Sequence, residues 1–230
     1  FNTKLYTGNG SNGHSITGVG FQPDFVWIKN RSAAEEHLWY DSVRGADKLL
    51  RSNNVAADAT TSTTTYFNSF DSDGFTVGSE TGMNANSQNI VAWNWKAETA
   101  FSNSAGANGA TIASSGRVNT TAGFSIVSFV GNATSGATVA HGLGSAPQVV
   151  IIKSRDSGLS WRSYFAPLGA THYIELDAAS AGVDAANFMN DTAPTSTVFS
   201  LGNGTTPNKN GDNYVAYCFA EKTGYSKFGS

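Results

Sequence analysis

The 230 residues carry 14 Lys and Arg against 17 Asp and Glu, a formal charge of −3 with pI ≈ 5.8, which rules out a strong electrostatic case for nucleic-acid binding. One cysteine, Cys218, excludes an internal disulfide, and no run of about 18 apolar residues is present to insert into a membrane as a helix. Charged residues make up 13% of the chain, against roughly 25% in ordinary globular proteins, and Ser, Thr, Asn and Gly replace them.

Short apolar runs alternate with turn clusters, the pattern of an all-β sandwich or barrel. In chain order, strands are expected over Lys4 to Thr7, Phe25 to Asn30, His37 to Tyr40, Leu49 to Arg51, Thr64 to Phe70, Phe75 to Val77 and Asn89 to Lys96. Gly8-Asn9-Gly10, Asn12-Gly13, Asp73-Gly74, Gly82 and Asn84 supply the turns between them. The stretch from Ala100 to Ala122 is rich in Ser, Asn, Ala, Gly and Thr and reads as a flexible or loosely strapped linker, with Ile112 and Val118 as its anchors. Beyond it, strands are expected over Ser125 to Phe129, Gln148 to Lys153, Trp161 to Phe165, Tyr173 to Leu176, Ser196 to Ser200 and Tyr214 to Ala220. Helical signals are confined to Ser180 to Asn187 and to a start near Arg44 to Leu50.

These two sets of strands are near-copies. Gly18-Val19-Gly20 returns as Gly142-Leu143-Gly144, Ile28-Lys29-Asn30-Arg31 as Ile152-Lys153-Ser154-Arg155, and Val91-Ala92-Trp93-Asn94-Trp95 as Val215-Ala216-Tyr217-Cys218-Phe219. The repeat predicts two tandem antiparallel β-sandwich modules of jelly-roll or lectin-like type, at 1–97 and 123–222, with a linker at 98–122. Gly224-Tyr225-Ser226 resembles Gly123-Phe124-Ser125, so 223–230 is expected to open a further module of a longer array. Val91, Trp93 and Trp95 share one strand face, as do Val215, Tyr217 and Phe219, and both faces are expected to be core.

The chemistry-bearing residues are sparse. His14, His37, His141 and His172 stand singly, without metal spacing, and no nucleophile elbow is present. His141 aligns with Thr17 and reads as a turn histidine; Cys218 reads as a buried thiol. Asp71-Ser72-Asp73-Gly74 has the opening of a calcium loop, making Asp71 and Asp73 the candidate cation ligands, against a plain tight turn; no other cofactor is expected. Trp39, Tyr40, Asp41, Arg44 and Tyr66 form the candidate glycan patch, because a ring and a planar multi-donor group suit a sugar's apolar face and its oxygens. The alternative is that Trp39 fills a gap in its hairpin while Arg44 pairs with Asp41. Trp39 aligns with Ser163 and Trp161 with His37, so one of the two rings is expected to be partly exposed.

Phe21-Gln22-Pro23-Asp24-Phe25-Val26-Trp27-Ile28-Lys29-Asn30-Arg31, Tyr40-Asp41-Ser42-Val43-Arg44-Gly45-Ala46 and Phe70-Asp71-Ser72-Asp73-Gly74-Phe75 resemble the repeat modules of virion proteins of marine tailed bacteriophages. Thr120-Thr121-Ala122-Gly123-Phe124-Ser125-Ile126-Val127, His141-Gly142-Leu143-Gly144 and Asn213-Tyr214-Val215-Ala216-Tyr217-Cys218-Phe219-Ala220-Glu221 resemble a companion module. The resemblance implies a tail fibre or similar appendage on the particle surface, made in the host cytoplasm. It brings no catalytic residues and no ligand; the partners expected are other copies or other virion proteins and, from the candidate patch, a host cell-surface glycan. A polysaccharide-degrading enzyme and a purely structural spacer or capsid decoration are the other two readings.

Overall fold

The computed structural model describes residues 1–229 and is all-β, its strands paired antiparallel in every sheet. It divides into two compact units, Phe1–Lys96 and Ala97–Ser230. Ser230, the last residue of the stretch expected to open another module, lies outside the described residues; Lys222 and Ser226 just before it close a small turn by an isolated bridge.

In the first unit the strands are β1 (Asn2–Thr7), β2 (His14–Thr17), β3 (Phe25–Asn30), β4 (Leu38–Asp41), β5 (Gly45–Arg51), β6 (Ala59–Thr60), β7 (Phe67–Asp71), β8 (Gly74–Val77) and β9 (Asn89–Trp95). A single helical turn, α1 (Thr81–Asn84), precedes β9. Residues 45–51, where a helical start was one reading, are strand throughout. A six-stranded sheet runs in the order β1-β9-β3-β4-β5-β6, and a three-stranded sheet in the order β2-β8-β7. Val26, Ile28, Tyr40, Leu49, Ile90 and Ala92 from the larger sheet meet Ile16, Phe67, Phe75 and Val77 from the smaller one in one buried core. The period of two puts Trp27, Trp93 and Trp95 on the opposite face of the larger sheet.

The second unit repeats this plan. Its strands are β10 (Thr99–Asn103), β11 (Ser114–Asn119), β12 (Phe124–Val130), β13 (Ala137–Ala140), β14 (Val149–Ser154), β15 (Arg162–Phe165), β16 (His172–Glu175), β17 (Val183–Asp184), β18 (Val198–Leu201) and β19 (Asn213–Phe219). The helical signal at 180–187 resolves into β17 and the start of one turn, α2 (Ala186–Met189); a second turn, α3 (Thr205–Asn208), precedes β19. The large sheet runs β10-β11-β12-β19-β14-β15-β16-β17, and β13 pairs with β18. Between them lies a core of Val127, Phe129, Val150, Ile152, Ala216 and Cys218 with Val139, Phe199 and Leu201.

Two expectations are corrected here. The polar segment 98–122 is not a flexible linker: β10 pairs with β11 and β11 with β12, extending the second sheet by two strands. A strand at a sheet edge needs only one apolar side chain per two residues, and the backbone ladder is indifferent to Ser or Thr on the solvent face. Ile112 and Val118 enter the second core, and Phe101 packs against it. The aromatic face of β9 and of β19 is the expected buried face only in part: Val91, Val215 and Tyr217 are buried on it, and the core between the sheets lies on the opposite face. Ala92, Ala216 and Cys218 point inward, where their small side chains leave room for Tyr40, Phe67 and Phe129. Trp93, Trp95 and Phe219 on the other face are half-buried, while Tyr217 is fully buried.

The repeated Ile-Lys-Asn/Ser-Arg run has a shared structural reason. Lys29 Nζ donates to the carbonyls of Ala33 (3.4 Å) and Glu35 (2.7 Å), and Lys153 Nζ to those of Ser157 (3.3 Å) and Leu159 (2.8 Å), closing the same loop in both units. Cys218 is fully buried, and burial pushes its thiol up to about 12. Its thiolate is thereby denied at neutral pH. The folded chain should therefore not react with a thiol-specific colorimetric reagent, and one equivalent should react on denaturation.

Candidate functional site

The structure places most of the expected glycan patch inside the protein. Trp39 is 1% exposed, Tyr40 and Asp41 are 0%, and Arg44 is 7%. Tyr40 stacks on Phe67 at 4.7 Å in the first core, and half-buried Tyr66 packs against that core. Trp39, on the other face, contacts Phe25 at 4.8 Å and Trp27 at 5.1 Å. Arg44 donates to Asp41 Oδ2 (2.5 Å), Asp58 Oδ1 (3.0 Å) and the carbonyls of Lys48 (3.2 Å) and Trp39 (3.1 Å). The guanidinium is consumed in tying the β4–β5 hairpin, which is the pairing alternative raised by its spacing from Asp41. Trp161 is 0% exposed, so neither Trp39 nor Trp161 is the partly open ring expected of the pair.

Asp71 and Asp73 do not converge on a cation. Asp71 accepts from the hydroxyls of Ser69 (2.7 Å) and Thr76 (2.6 Å). Asp73 accepts from the backbone amides of Gly18 (2.9 Å) and Gly20 (2.6 Å), which hold its carboxyl below the usual carboxylate range. Carboxylate oxygens committed to local N–H and O–H donors make a turn clasp, and among the described residues no group of three or more His, Cys, Asp or Glu is placed to hold a metal.

This clasp has a counterpart in the second unit that is built differently. Gly18 and Gly20 have φ of 78° and 88°, and Gly142 and Gly144 have φ of 74° and 69°. Both loops thus take the left-handed turns that glycine permits, around a residue buried in each case, Val19 or Leu143. Pairing register fixes the correspondence. Thr17 pairs with Gly74 and Ala140 with Val198, so Ala140 is the equivalent of Thr17 and His141 is a one-residue insertion. Thr197 stands where the first unit has Asp73. His141 is 0% exposed. Its Nδ1 lies 3.2 Å from the Leu143 amide and its Nε2 3.2 Å from the Thr195 carbonyl. That geometry is the neutral Nε2–H tautomer, accepting at Nδ1 and donating at Nε2.

Desolvation lowers the His141 pKa to about 4. A histidine depressed in the fold contributes stability above its unfolded value near 6.5 and loses it as pH falls toward the folded value. Acidification from about pH 6.5 to 4 should thus destabilise the second unit by up to about 3 kcal/mol. Denaturant melts across this window should show the slope in the wild type and a flatter profile in His141→Gln.

Beside this loop lies a cleft of about 270 Å³. One wall is the β10 strand and the loop after it: the half-buried Phe101 ring, Ser102, Asn103 and Asn108. The other is Gly142, Gly144 and the Ser196-Thr197 turn that leads into β18. Asn103 is a scaffold residue, donating to the carbonyls of Ser104 (3.1 Å) and Ala107 (3.2 Å) and accepting from Asn108 Nδ2 (2.7 Å). Nothing within 4 Å of Gly144 fills the space that a side chain would take. No Asp, Glu, His, Lys or Arg lines the cleft, so its chemistry is one aromatic ring, hydroxyls, amides and bare backbone. The sequence does not reveal it, because half of its wall comes from a segment that reads as linker. The only signal was the repeat itself, which sets Thr197 opposite Asp73.

A protein-family model described as a domain of unknown function, DUF7483, matches residues 1–230. No curated protein and no solved structure matches the chain.

Proposed function

The chain belongs to the DUF7483 family of domains of unknown function, and from that footing we propose that it is a non-catalytic module of a virion appendage, a tail fibre or similar structure, that recognises a host-surface glycan. The observation that carries the binding part is the second unit's cleft: an aromatic ring opposite hydroxyl and amide groups, of a size for one sugar residue. Sugars present apolar C–H faces that stack on such a ring, and hydroxyls that pair with Ser, Asn and backbone groups. The appendage part is supported by the resemblance to phage virion repeats and by a fold of repeated sandwiches, which suits an extended array. No described helix is long and apolar enough to cross a membrane.

Hydrolysis of a polysaccharide is the reading from another class. It would draw on a pair of carboxylates flanking the scissile bond, and the cleft supplies none. A glycan array probed with the full chain, alongside a reducing-sugar assay on host polysaccharide, separates the two. The expected result is retention of a defined glycan without release of reducing ends, with Phe101→Ala weakening retention at least about tenfold, the loss of one stacked ring. Steady release of reducing sugar would overturn the proposal in favour of the enzyme. Intact binding in Phe101→Ala would remove the cleft from it.

A further inference from the structure

We propose that the second unit's cleft takes a sugar bearing a carboxylate, with the carboxylate held by the Gly142 and Gly144 amides as the first unit's Gly18 and Gly20 amides hold Asp73. The inference rests on reading the cleft as the glycan site and adds the charge of its ligand.

The argument is the protein's own internal comparison. In the first unit the Gly18-Val19-Gly20 loop aims two amides at one carboxylate, Oδ2 of Asp73 at 2.9 Å from Gly18 N and Oδ1 at 2.6 Å from Gly20 N. Two amides on the two oxygens of one carboxylate make a bidentate, charge-assisted clasp, and successive amides in such turns form concave anion sites. The second unit keeps two glycines in the same left-handed region with a buried apolar residue between them. Its loop is one residue longer, and the His141 N–H, instead of that of the residue between the glycines, donates to the carbonyl at the Asp73 position. It omits the carboxylate: Thr197 occupies the Asp73 position, and its hydroxyl lies 3.4 Å from that of Thr195. Among the described residues, no group of the chain takes up the Gly142 or Gly144 N–H, whereas the Leu143 amide between them is bonded to His141. Both glycines and Thr197 line the cleft. The vacancy left by the missing side chain is thus continuous with a space large enough for a ligand.

The remaining wall specifies what the carboxylate is attached to. Phe101 packs against the glycine loop, its ring atoms 3.4 and 3.5 Å from where a Gly142 Cβ would sit. A ring fixed beside Gly142 favours a pyranose with its acid group turned toward the loop. Ser102, Asn108 and Ser196 stand around it with hydroxyl and amide groups for the sugar hydroxyls. A simple carboxylate such as acetate would use the amides alone and forgo this wall.

The test titrates the full ¹⁵N-labelled chain with galacturonate, galactose and acetate, reading the Gly142 and Gly144 amide resonances. Galacturonate should shift both and bind at least about tenfold more tightly than galactose or acetate, the scale of one charge-assisted pair. Thr197→Asp restores the first unit's clasp and should abolish the galacturonate response while melting no lower than the wild type. Thr197→Val changes the same turn without supplying a carboxylate and should retain it. Equal binding of galactose and galacturonate would leave a glycan cleft and overturn its charge preference, as would a galacturonate response that survives in Thr197→Asp. Absence of shifts with any of the three probes would overturn both the inference and the cleft as the binding site. Equal binding of acetate would reduce the site to a carboxylate clasp and overturn the sugar.

Discussion

Replacing Arg44 with Met should cost the first unit about 3–5 kcal/mol, the range for removing one partner of a buried ion pair. The Arg44 and Asp41 side chains are both 0% exposed, and Asp58 is 7%. Met fills the volume but leaves the Asp41 carboxylate, enclosed in the fold, without its cation. It also strips donors from the carbonyls of Lys48 and Trp39. Because β4 and β5 pair through a register shift between Trp39 and Asp41, the guanidinium bridges the point where the ladder is irregular. Arg44→Lys should recover only part of the loss, since one ammonium cannot reproduce a planar fork reaching four acceptors. Chemical denaturation followed by tryptophan fluorescence reads this directly, as all the tryptophans but Trp161 lie in the first unit. A loss below about 1 kcal/mol, the level of an exposed pair, would show that the cluster is not buried in solution.

Asn208→Ala should cost the second unit about 3 kcal/mol, three hydrogen bonds at roughly 1 kcal/mol each with little solvent to replace them. Asn208 is 0% exposed. Its Nδ2 donates to the carbonyls of Gly202 (2.9 Å) and Thr134 (3.0 Å), and its Oδ1 accepts from the amide of Asn132 (2.8 Å). Asn84 does the same for the first unit, bonding the Gly78 and Ser11 carbonyls and the Asn9 amide. In each unit one amide side chain thus ties together two connections of the chain, its own and the one that joins β1 to β2 or β12 to β13. Asn208→Asp should be at least as damaging at neutral pH, because a carboxylate oxygen would then face two carbonyl oxygens, and the damage should ease on protonation at low pH. Equal stability of Asn208→Asp and wild type at pH 7 would contradict this network. His14, whose Nδ1 lies 2.8 Å from Asn84 Oδ1, has no counterpart at Asn208, so the Asn84 variant is the more complex of the pair.

The sequence by itself determined the strand-rich class, the internal repeat and the position of most strands. Those properties are local: β-branched and aromatic runs, turn residues, and a length matched between copies. It also placed Cys218 inside, because a strand residue with apolar neighbours on a central run has few alternatives. It could not say which face of β9 and β19 meets the opposing sheet. Alternation defines two faces, and large aromatics attract the eye to one, but the choice is made by what the opposing sheet brings. Phe67 and Phe75 arrive on the Ala92 side, so the small residue faces the core between the sheets, while Val91, Val215 and Tyr217 on the aromatic face are buried as well. For the same reason Trp39 and Tyr40 looked available as a patch and are enclosed.

The segment 98–122 was misread because a sheet extended by backbone bonds asks little of side chains, and composition reports side chains only. The cleft followed it out of view, since Phe101 and Asn108 come to face Gly142 and Thr197 only when β10 and β11 join the second sheet. Even the alignment of His141 with Thr17 depended on tertiary information. Strand register, which is a matter of hydrogen-bond partners across the chain, assigns Ala140 to that place and leaves His141 as the added residue. The local rules that make strands are written residue by residue; the pairing that decides which side chains meet is a property of the assembled sheets.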